Sequence, residues 1–230
     1  MSRSLPSSHR EVLSFLAEIG YRDLYLSAAG DGEDRARALA ELAETASRCE
    51  ACQLAAGRNK VVFGAGDPDA DLMFIGEGPG AEEDRQGLPF VGPAGELLTK
   101  IIEAIDLTRD EVYIANIVKC RPPRNRDPEP AEVAACRGYL ERQIELIRPR
   151  VIVALGRVAA QTLLGNDLPL GRMRGEWHQV AGVPTMVTYH PAALLRNSSF
   201  KRPVWEDIVD VDLGVRGVHL EADLLVAAGH

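Results

Sequence analysis

The sequence predicts an α/β fold in which helices flank an open and mostly parallel sheet. Short aliphatic segments of strand length alternate with longer segments whose apolar residues recur at helical spacing. This alternation is typical of parallel strands that are joined by helical crossovers. Ligands of such sheets bind beyond the carboxyl ends of the strands, so the residues that follow each strand are the first candidates for a functional site.

The composition is that of a globular protein without a membrane segment. The chain has 230 residues, of which 46% are hydrophobic, and a formal net charge of −8. It contains neither an apolar run of about 18 residues nor an apolar leader, so we expect a cytoplasmic protein. The negative charge argues mildly against non-specific binding of nucleic acid, although a phosphate backbone responds to local basic patches.

The chain divides into a main domain and two ends. We expect residues 1–40 to form an N-terminal extension, helical or partly flexible, with an amphipathic helix over 11–19. Residues 41–212 form the main domain, and residues 213–230 form a C-terminal tail to which the sequence assigns no structure. A helix is predicted over 34–47, because Leu39 and Leu42 lie at helical spacing.

The first strand and the loop after it are the most distinctive stretch. Residues 72–75 are apolar and predict a buried strand, which ends in the turn GEGPG at 76–80. Glycines lack a Cβ and therefore let the backbone approach a flat or charged ligand closely. An ordinary loop between a strand and a helix can have the same composition, and the spacing matches neither GxGxxG nor a P-loop.

The remaining elements continue the alternation. Residues 93–105 predict a helix that begins with proline and carries its apolar residues on one side. Further strands are predicted over 112–116, 150–155, 176–180 and 184–189. Further helices are predicted over 129–147, 158–164 and 203–211.

A basic loop follows the second strand. Residues 117–127 contain a single acid, Asp127, and four basic residues, which are Lys119, Arg121, Arg124 and Arg126. Two prolines exclude a regular helix there. The loop is either a solvated surface segment or a contact for phosphate groups.

Polar and aromatic residues collect where the strands end. Asn116 offers both a hydrogen-bond donor and an acceptor, which complements the edge of an amide-like ring. His190 can donate a hydrogen bond or a proton near neutral pH, and Phe90 can supply a stacking face. Each of these residues alone has an ordinary structural explanation. Together with Gly76 and Gly156 at two further strand ends, they predict a pocket for a flat, amide-bearing ring.

The four cysteines form a second group. Cys49 and Cys52 make a CxxC pair, and Cys120 and Cys136 follow at wider spacing. Structural zinc sites more often pair two such knuckles, so the spacing fits zinc less well than a [4Fe–4S] cluster held by four thiolates. Four unrelated free cysteines remain the alternative, since cysteine is often a small buried hydrophobe.

Three stretches then identify a family. The segments at 76–92, 116–128 and 190–196, together with the four cysteines, closely resemble the family 4 uracil-DNA glycosylases, and the resemblance covers about residues 45–212. It implies a monomeric three-layer α/β/α fold around a central, mostly parallel four-stranded sheet. It implies hydrolysis of the N-glycosidic bond of uracil in single- or double-stranded DNA, which leaves an abasic site for repair. It also implies a structural [4Fe–4S] cluster on the four cysteines and no metal for the chemistry.

The resemblance also implies residue roles. The predicted uracil-binding residues are Gly76, Glu77, Gly78, Phe90, Asn116 and His190, and the predicted catalytic residues among them are His190, Glu77 and Asn116. Glu77 is the candidate for activating water, because Gly78 stands where the best-known branch of the superfamily has an aspartate. Glu83 or Asp84 could assist it. Leu194, Leu195 and Arg196 fall where the superfamily has the loop that enters the minor groove. The further predicted DNA-contacting residues follow from their positive charge and are Lys119, Arg121, Arg124, Lys201 and Arg202.

Several alternatives stay open at this point. The domain could bind uracil or damaged DNA without catalysis, could excise hypoxanthine, xanthine or mismatched thymine, or could be a redox protein that uses its cysteines. A related branch becomes covalently attached to the abasic sugar through a histidine in the loop after the second motif. The loop 120–127 has no histidine, so we expect turnover.

Overall fold

The structure is a computed structural model that describes residues 31–215. Its strands are β1 (Ala65–Gly66), β2 (Leu72–Gly76), β3 (Tyr113–Asn116), β4 (Val151–Leu155), β5 (Trp177–Val180) and β6 (Val183–Thr188). Its helices are α1 (Asp31–Ser47), α2 (Ala81–Gln86), α3 (Pro93–Glu103), α4 (Pro130–Ile147), α5 (Arg157–Leu164), α6 (Pro191–Arg196) and α7 (Lys201–Val215). The predicted helix over 11–19 and most of the predicted extension and tail lie outside the described residues.

The sheet has a parallel centre and two antiparallel edges. The strand order is β1-β3-β2-β4-β6-β5, and β3, β2, β4 and β6 run parallel. The predicted count of four strands is therefore wrong for the described sheet, which has six, and right for its parallel centre. β1 has only two residues, and β5 returns to β6 through Ala181 and Gly182, whose φ angles of 51° and 80° suit a tight hairpin turn.

The predicted three-layer α/β/α arrangement is confirmed, because each strand of the sheet centre packs on both faces. In β2, Met73 and Ile75 belong to a core cluster that includes Leu140 of α4. Leu72 and Phe74 belong to the opposite cluster, which includes Leu98 of α3 and Ile208 of α7. Strands buried on both faces are expected to be aliphatic throughout, which explains the apolar runs in the sequence.

The domain limits placed at residues 41 and 212 fall inside helices. α1 crosses the first limit without a break, and Leu39 packs in the core cluster beside α4. α7 crosses the second limit and buries Gly214. Residues 32–40 and 213–215 therefore belong structurally to the main domain. Within 31–215, no helix is both long enough and apolar enough to span a bilayer.

Candidate active site

A pocket of about 590 Å³ lies at the carboxyl ends of the parallel strands. Five of the six predicted uracil-binding residues line it, namely Glu77, Gly78, Phe90, Asn116 and His190. Strand register explains this convergence, since Gly76 at the end of β2 pairs with Asn116 at the end of β3. The pocket therefore lies where a parallel sheet is expected to bind its ligand.

Asn116 presents an open acceptor to this pocket. The residue is buried, and its side-chain oxygen Oδ1 has no hydrogen-bond partner among the described residues. A buried polar atom normally has a partner, so an open one at a pocket wall is available to a ligand or an ordered water. Gly76 makes room for it, because a Cβ at this position would lie 2.5 Å from Oδ1 and 2.6 Å from Cζ of Phe90.

Two rings stand beside this amide. Phe90 and His190 stack with their ring centroids 5.5 Å apart and their planes 30° from parallel. Phe90 is buried and has a φ of 51°, a left-handed conformation that a bulky residue rarely adopts. The Phe90 ring and the Asn116 amide therefore both border the slot that a flat ligand would enter.

His190 is held as a neutral hydrogen-bond donor. It precedes α6, and its Nδ1 accepts a hydrogen bond from the Ala192 N–H at 3.1 Å, so the proton of the neutral ring lies on Nε2. Burial and the nearby charge of Arg196 lower the pKa of His190 to about 4, although Glu83 opposes them. Gly156 has a φ of 90°, and a Cβ there would lie 2.9 Å from the Cβ of His190.

Glu77 titrates near neutrality. Burial is the main cause that raises its pKa to about 7, the charge of Asp127 raises it further, and Arg157 lowers it. Arg157 forms an ion pair with Asp127, and both side chains line the same pocket. Sequence reasoning missed the contribution of this pair, since Arg157 looks like an ordinary helix start and Asp127 like the lone acid of a basic loop.

Glu83 and Asp84, the two acids that were predicted to assist Glu77, hold parts of the backbone. Glu83 accepts backbone hydrogen bonds from Val91 and Gly92, both at 3.0 Å. Asp84 is buried and accepts hydrogen bonds from the backbone and side-chain amide of Asn59, at 2.9 and 2.5 Å. Asp84 therefore holds a neighbouring loop and does not line the pocket.

Two of the predicted DNA-contacting side chains are buried. Lys119 is 2% exposed, and its ammonium donates to the Asn116 carbonyl oxygen at 2.9 Å and to Oε1 of Gln143 at 2.5 Å. Leu194 is 4% exposed and packs in the core cluster with α3 and α7. Neither side chain can reach DNA in this conformation.

Most of the other predicted contacts are accessible. Leu195 is 55% exposed, and Arg124, Arg196, Lys201 and Arg202 are also exposed. Arg121 is half-buried and donates to Asn125 at 2.8 Å. Arg126 is committed to α4, since it donates to both carboxylate oxygens of Glu132.

The four cysteines line a second, smaller cavity. Cys120 and Cys136 are buried, and burial raises the pKa of both thiols. Two donors reach these sulfurs, the Lys119 N–H to Cys136 at 3.3 Å and the Arg58 guanidinium to Cys120 at 3.5 Å. Within 31–215, no group of three or more His, Cys, Asp or Glu side chains is arranged so that it could hold a single metal ion. Four cysteine thiolates are the ligand set that holds an iron–sulfur cluster in proteins.

The comparisons with known proteins agree with this geometry. Residues 63–209 match the family model described as the uracil DNA glycosylase superfamily. A type-4 uracil-DNA glycosylase of Thermotoga maritima is 46% identical over 173 residues, which cover 73% of this chain and 89% of that protein. Its counterpart in Sulfurisphaera tokodaii is 43% identical over 178 residues, which cover 74% and 81%. A type-5 uracil-DNA glycosylase of Pyrobaculum aerophilum is 34% identical over 150 residues, which cover 58% and 66%. The chain therefore belongs to the type-4 uracil-DNA glycosylases of the uracil DNA glycosylase superfamily.

Proposed function

We propose that this protein is a DNA repair enzyme that hydrolyses the N-glycosidic bond of uracil in DNA and leaves an abasic site. The observation that carries the proposal is the open Oδ1 acceptor of Asn116 beside the Phe90 ring. Uracil presents an N3–H donor next to its O4 acceptor. The Asn116 amide, with one acceptor and one donor side by side, complements this edge. In the same orientation the amide would not fit cytosine. Its acceptor would face cytosine N3, which is also an acceptor, and its donor would face the cytosine amino group, which is also a donor.

The depth of the site requires the target nucleotide to leave the base stack. Asn116 is buried at the end of a central strand, so a base inside a duplex cannot reach it. An apolar side chain that enters the stack offsets part of the lost stacking. We assign this role to Leu195, which is exposed next to the pocket-lining Arg196.

Cleavage leaves negative charge on the departing base, and His190 is placed to stabilise it. As the C1′–N1 bond breaks, its electron pair moves to uracil. The neutral His190 ring carries its proton on Nε2 and can donate it as a hydrogen bond to uracil O2. A fixed donor aimed at developing charge is usually a large catalytic term.

Water completes the reaction at C1′. We assign its activation to Glu77, whose pKa of about 7 leaves a large carboxylate fraction at neutral pH. The water oxygen bonds to C1′, and the proton that it loses passes to the Glu77 carboxylate before release to solvent. Uracil is released with a proton taken from solvent, so atoms and charges balance without a metal.

The cysteine cavity is proposed to hold a [4Fe–4S] cluster on Cys49, Cys52, Cys120 and Cys136. The observation in its favour is the shared cavity of the four thiols, together with the Arg58 and Lys119 donors near two of the sulfurs. Such a cluster would tie the end of α1 to the loop after β3 and to α4. Its cysteines do not line the active-site pocket, so we propose a structural role.

The remaining proposals concern DNA and assembly. We propose that Arg121, Arg124, Arg196, Lys201 and Arg202 contact DNA phosphates. We also propose that the protein acts as a monomer. The cytoplasmic location remains a prediction.

A single-turnover assay tests the activity. The substrate is a labelled oligonucleotide with one uracil, the buffer lacks magnesium, and alkali reveals abasic sites. We expect cleavage at uracil and none at thymine in the matched control. Uracil-dependent binding without an abasic product would instead indicate a non-catalytic binding domain. Cleavage at hypoxanthine, xanthine or mismatched thymine would indicate shifted specificity, and an adduct stable to boiling detergent would indicate covalent attachment.

A further inference from the structure

The backbone of Phe90 needs external support. Its left-handed φ of 51° is rare for an aromatic residue, and the loop has no regular hydrogen-bond ladder to impose it. The position of its ring nevertheless defines one wall of the base slot. Contacts from elsewhere in the chain must therefore hold the peptide groups on either side of this residue.

An acid holds the two peptides after Phe90. Glu83 of α2 accepts the N–H groups of Val91 and Gly92 with the same carboxylate oxygen, Oε1, at 3.0 Å each. Hydrogen bonds to a charged acceptor are about twice as strong as neutral ones. One side chain therefore orients both peptide groups that follow the ring.

A cation holds the peptide before it. Arg109 donates from Nη2 to the Pro89 carbonyl oxygen at 2.8 Å and from Nη1 to the Thr99 hydroxyl at 3.3 Å. The hydroxyl in turn donates to the Gly95 carbonyl oxygen at 3.1 Å. A Cβ on Gly95 would lie 1.8 Å from the Phe90 oxygen, so the loop rests directly on α3.

From these contacts we infer that Glu83 and Arg109 are positioning residues that clamp Phe90 in the base slot from both sides of its backbone. This inference rests on the proposed function only in that the slot receives uracil. It gives Glu83 a positioning role in place of the role of assisting general base, although Glu83 lines the pocket and has a carboxylate. In the clamp, Glu83 acts through the backbone of residues 91–92 and never exchanges a proton with water or substrate.

Glu83→Gln separates the two roles. A glutamine keeps an oxygen that can accept both N–H groups, whereas it cannot serve as a base near neutral pH. The clamp therefore predicts that Glu83→Gln retains most activity and that Glu83→Ala does not. Glu82→Gln is the matched control, since Glu82 lies next in the same helix and pairs with the exposed Arg85.

Three measurements on the full chain test the inference. Amide hydrogen exchange of residues 88–92 measures how firmly the clamp holds this backbone segment, and it does not depend on catalytic activity. Direct binding of free uracil measures the integrity of the slot, and steady-state excision separates KM from kcat. In Glu83→Ala and Arg109→Gln we expect faster exchange in this segment and uracil binding that is weaker by about 10- to 100-fold. The pH profile of kcat should stay unchanged, and Glu82→Gln should match the wild type.

Two outcomes would overturn the clamp. One is unchanged exchange and unchanged uracil binding in both Glu83→Ala and Arg109→Gln. The other is an equal loss of kcat in Glu83→Gln and Glu83→Ala with a flattened pH profile, which would make Glu83 part of the chemistry. Failure of the proposed function looks different, since the wild type would then excise no uracil while the exchange results could still support the clamp.

Discussion

The ammonium of Lys119 donates a hydrogen bond to the backbone carbonyl oxygen of Asn116 at 2.9 Å, while the backbone N–H of Lys119 donates to the sulfur of Cys136 at 3.3 Å. One buried residue thus contacts both the amide-bearing strand end of the active site and a wall of the cysteine cavity. Its side chain also donates to Oε1 of Gln143, which lies on α4.

Replacing this lysine should affect stability more than DNA binding. In Lys119→Met, the Asn116 oxygen and the Gln143 amide lose their shared donor inside the core, and an unsatisfied buried group costs about 1–3 kcal/mol. We expect the free energy of unfolding, measured by urea titration, to fall by this amount, and uracil excision to weaken. The salt dependence of DNA binding should stay that of the wild type, because the side chain is buried. A flatter salt slope would place Lys119 on the DNA surface after all.

The arginines of the basic loop should behave in the opposite way. Neutralising Arg121 and Arg124 together should weaken binding to all DNA sequences alike and flatten the slope of log K against log salt by about 1–2. Binding titrations at several salt concentrations measure this slope. An unchanged slope would mean that these side chains are only solvated.

Gly76 should tolerate no side chain. In Gly76→Ala the new Cβ would overlap Oδ1 of Asn116 and Cζ of Phe90, at 2.5 and 2.6 Å, so both must move out of the base slot. We expect kcat/KM for uracil excision to fall by about 100-fold, since displacements near 1 Å have this effect. Gly138→Ala is the matched control, because a Cβ there meets nothing within 4 Å. It should retain full activity and gain up to about 1 kcal/mol in stability. Equal activity in the two variants would contradict the slot geometry.

The pH dependence of excision should report Glu77. The carboxylate is the active form of a general base, so the rate should rise with pH through a midpoint near 7 and level off above it. His190, with a pKa of about 4, stays neutral over this range and adds no second limb. Single-turnover rates between pH 5 and 9 measure the profile, and Glu77→Gln should abolish the limb.

Neutralising either partner of the ion pair beside Glu77 should move this midpoint, and the two changes should move it in opposite directions. Asp127 raises the pKa of Glu77, so Asp127→Asn should shift the limb to lower pH. Arg157 lowers that pKa, so Arg157→Gln should shift the limb to higher pH. Shifts of about one pH unit are expected when a neighbouring charge is removed. Movement of both variants in the same direction would exclude an electrostatic effect on Glu77.

The sequence by itself determined the fold class and the main pocket residues of this protein. Aliphatic runs separated by amphipathic helices specify a parallel sheet, and parallel strands place their carboxyl ends along one edge. Asn116 and His190 could therefore be assigned to one site although 74 positions separate them in the chain. Phe90 was assigned to the same site because it lies in the motif at 76–92. The four cysteines were grouped by their number and spacing.

Only the tertiary structure decided which side chains of a motif face solvent and which pair across the pocket. Lys119 resembles the arginines around it in sequence, yet Gln143 on α4 offers it a buried partner. Leu194 and Leu195 are neighbours of the same type, and helix rotation buries one and exposes the other. Asp127 and Arg157 meet across 30 positions and act on Glu77. Burial and ion pairing depend on contacts between distant segments, and local sequence patterns do not encode those distances.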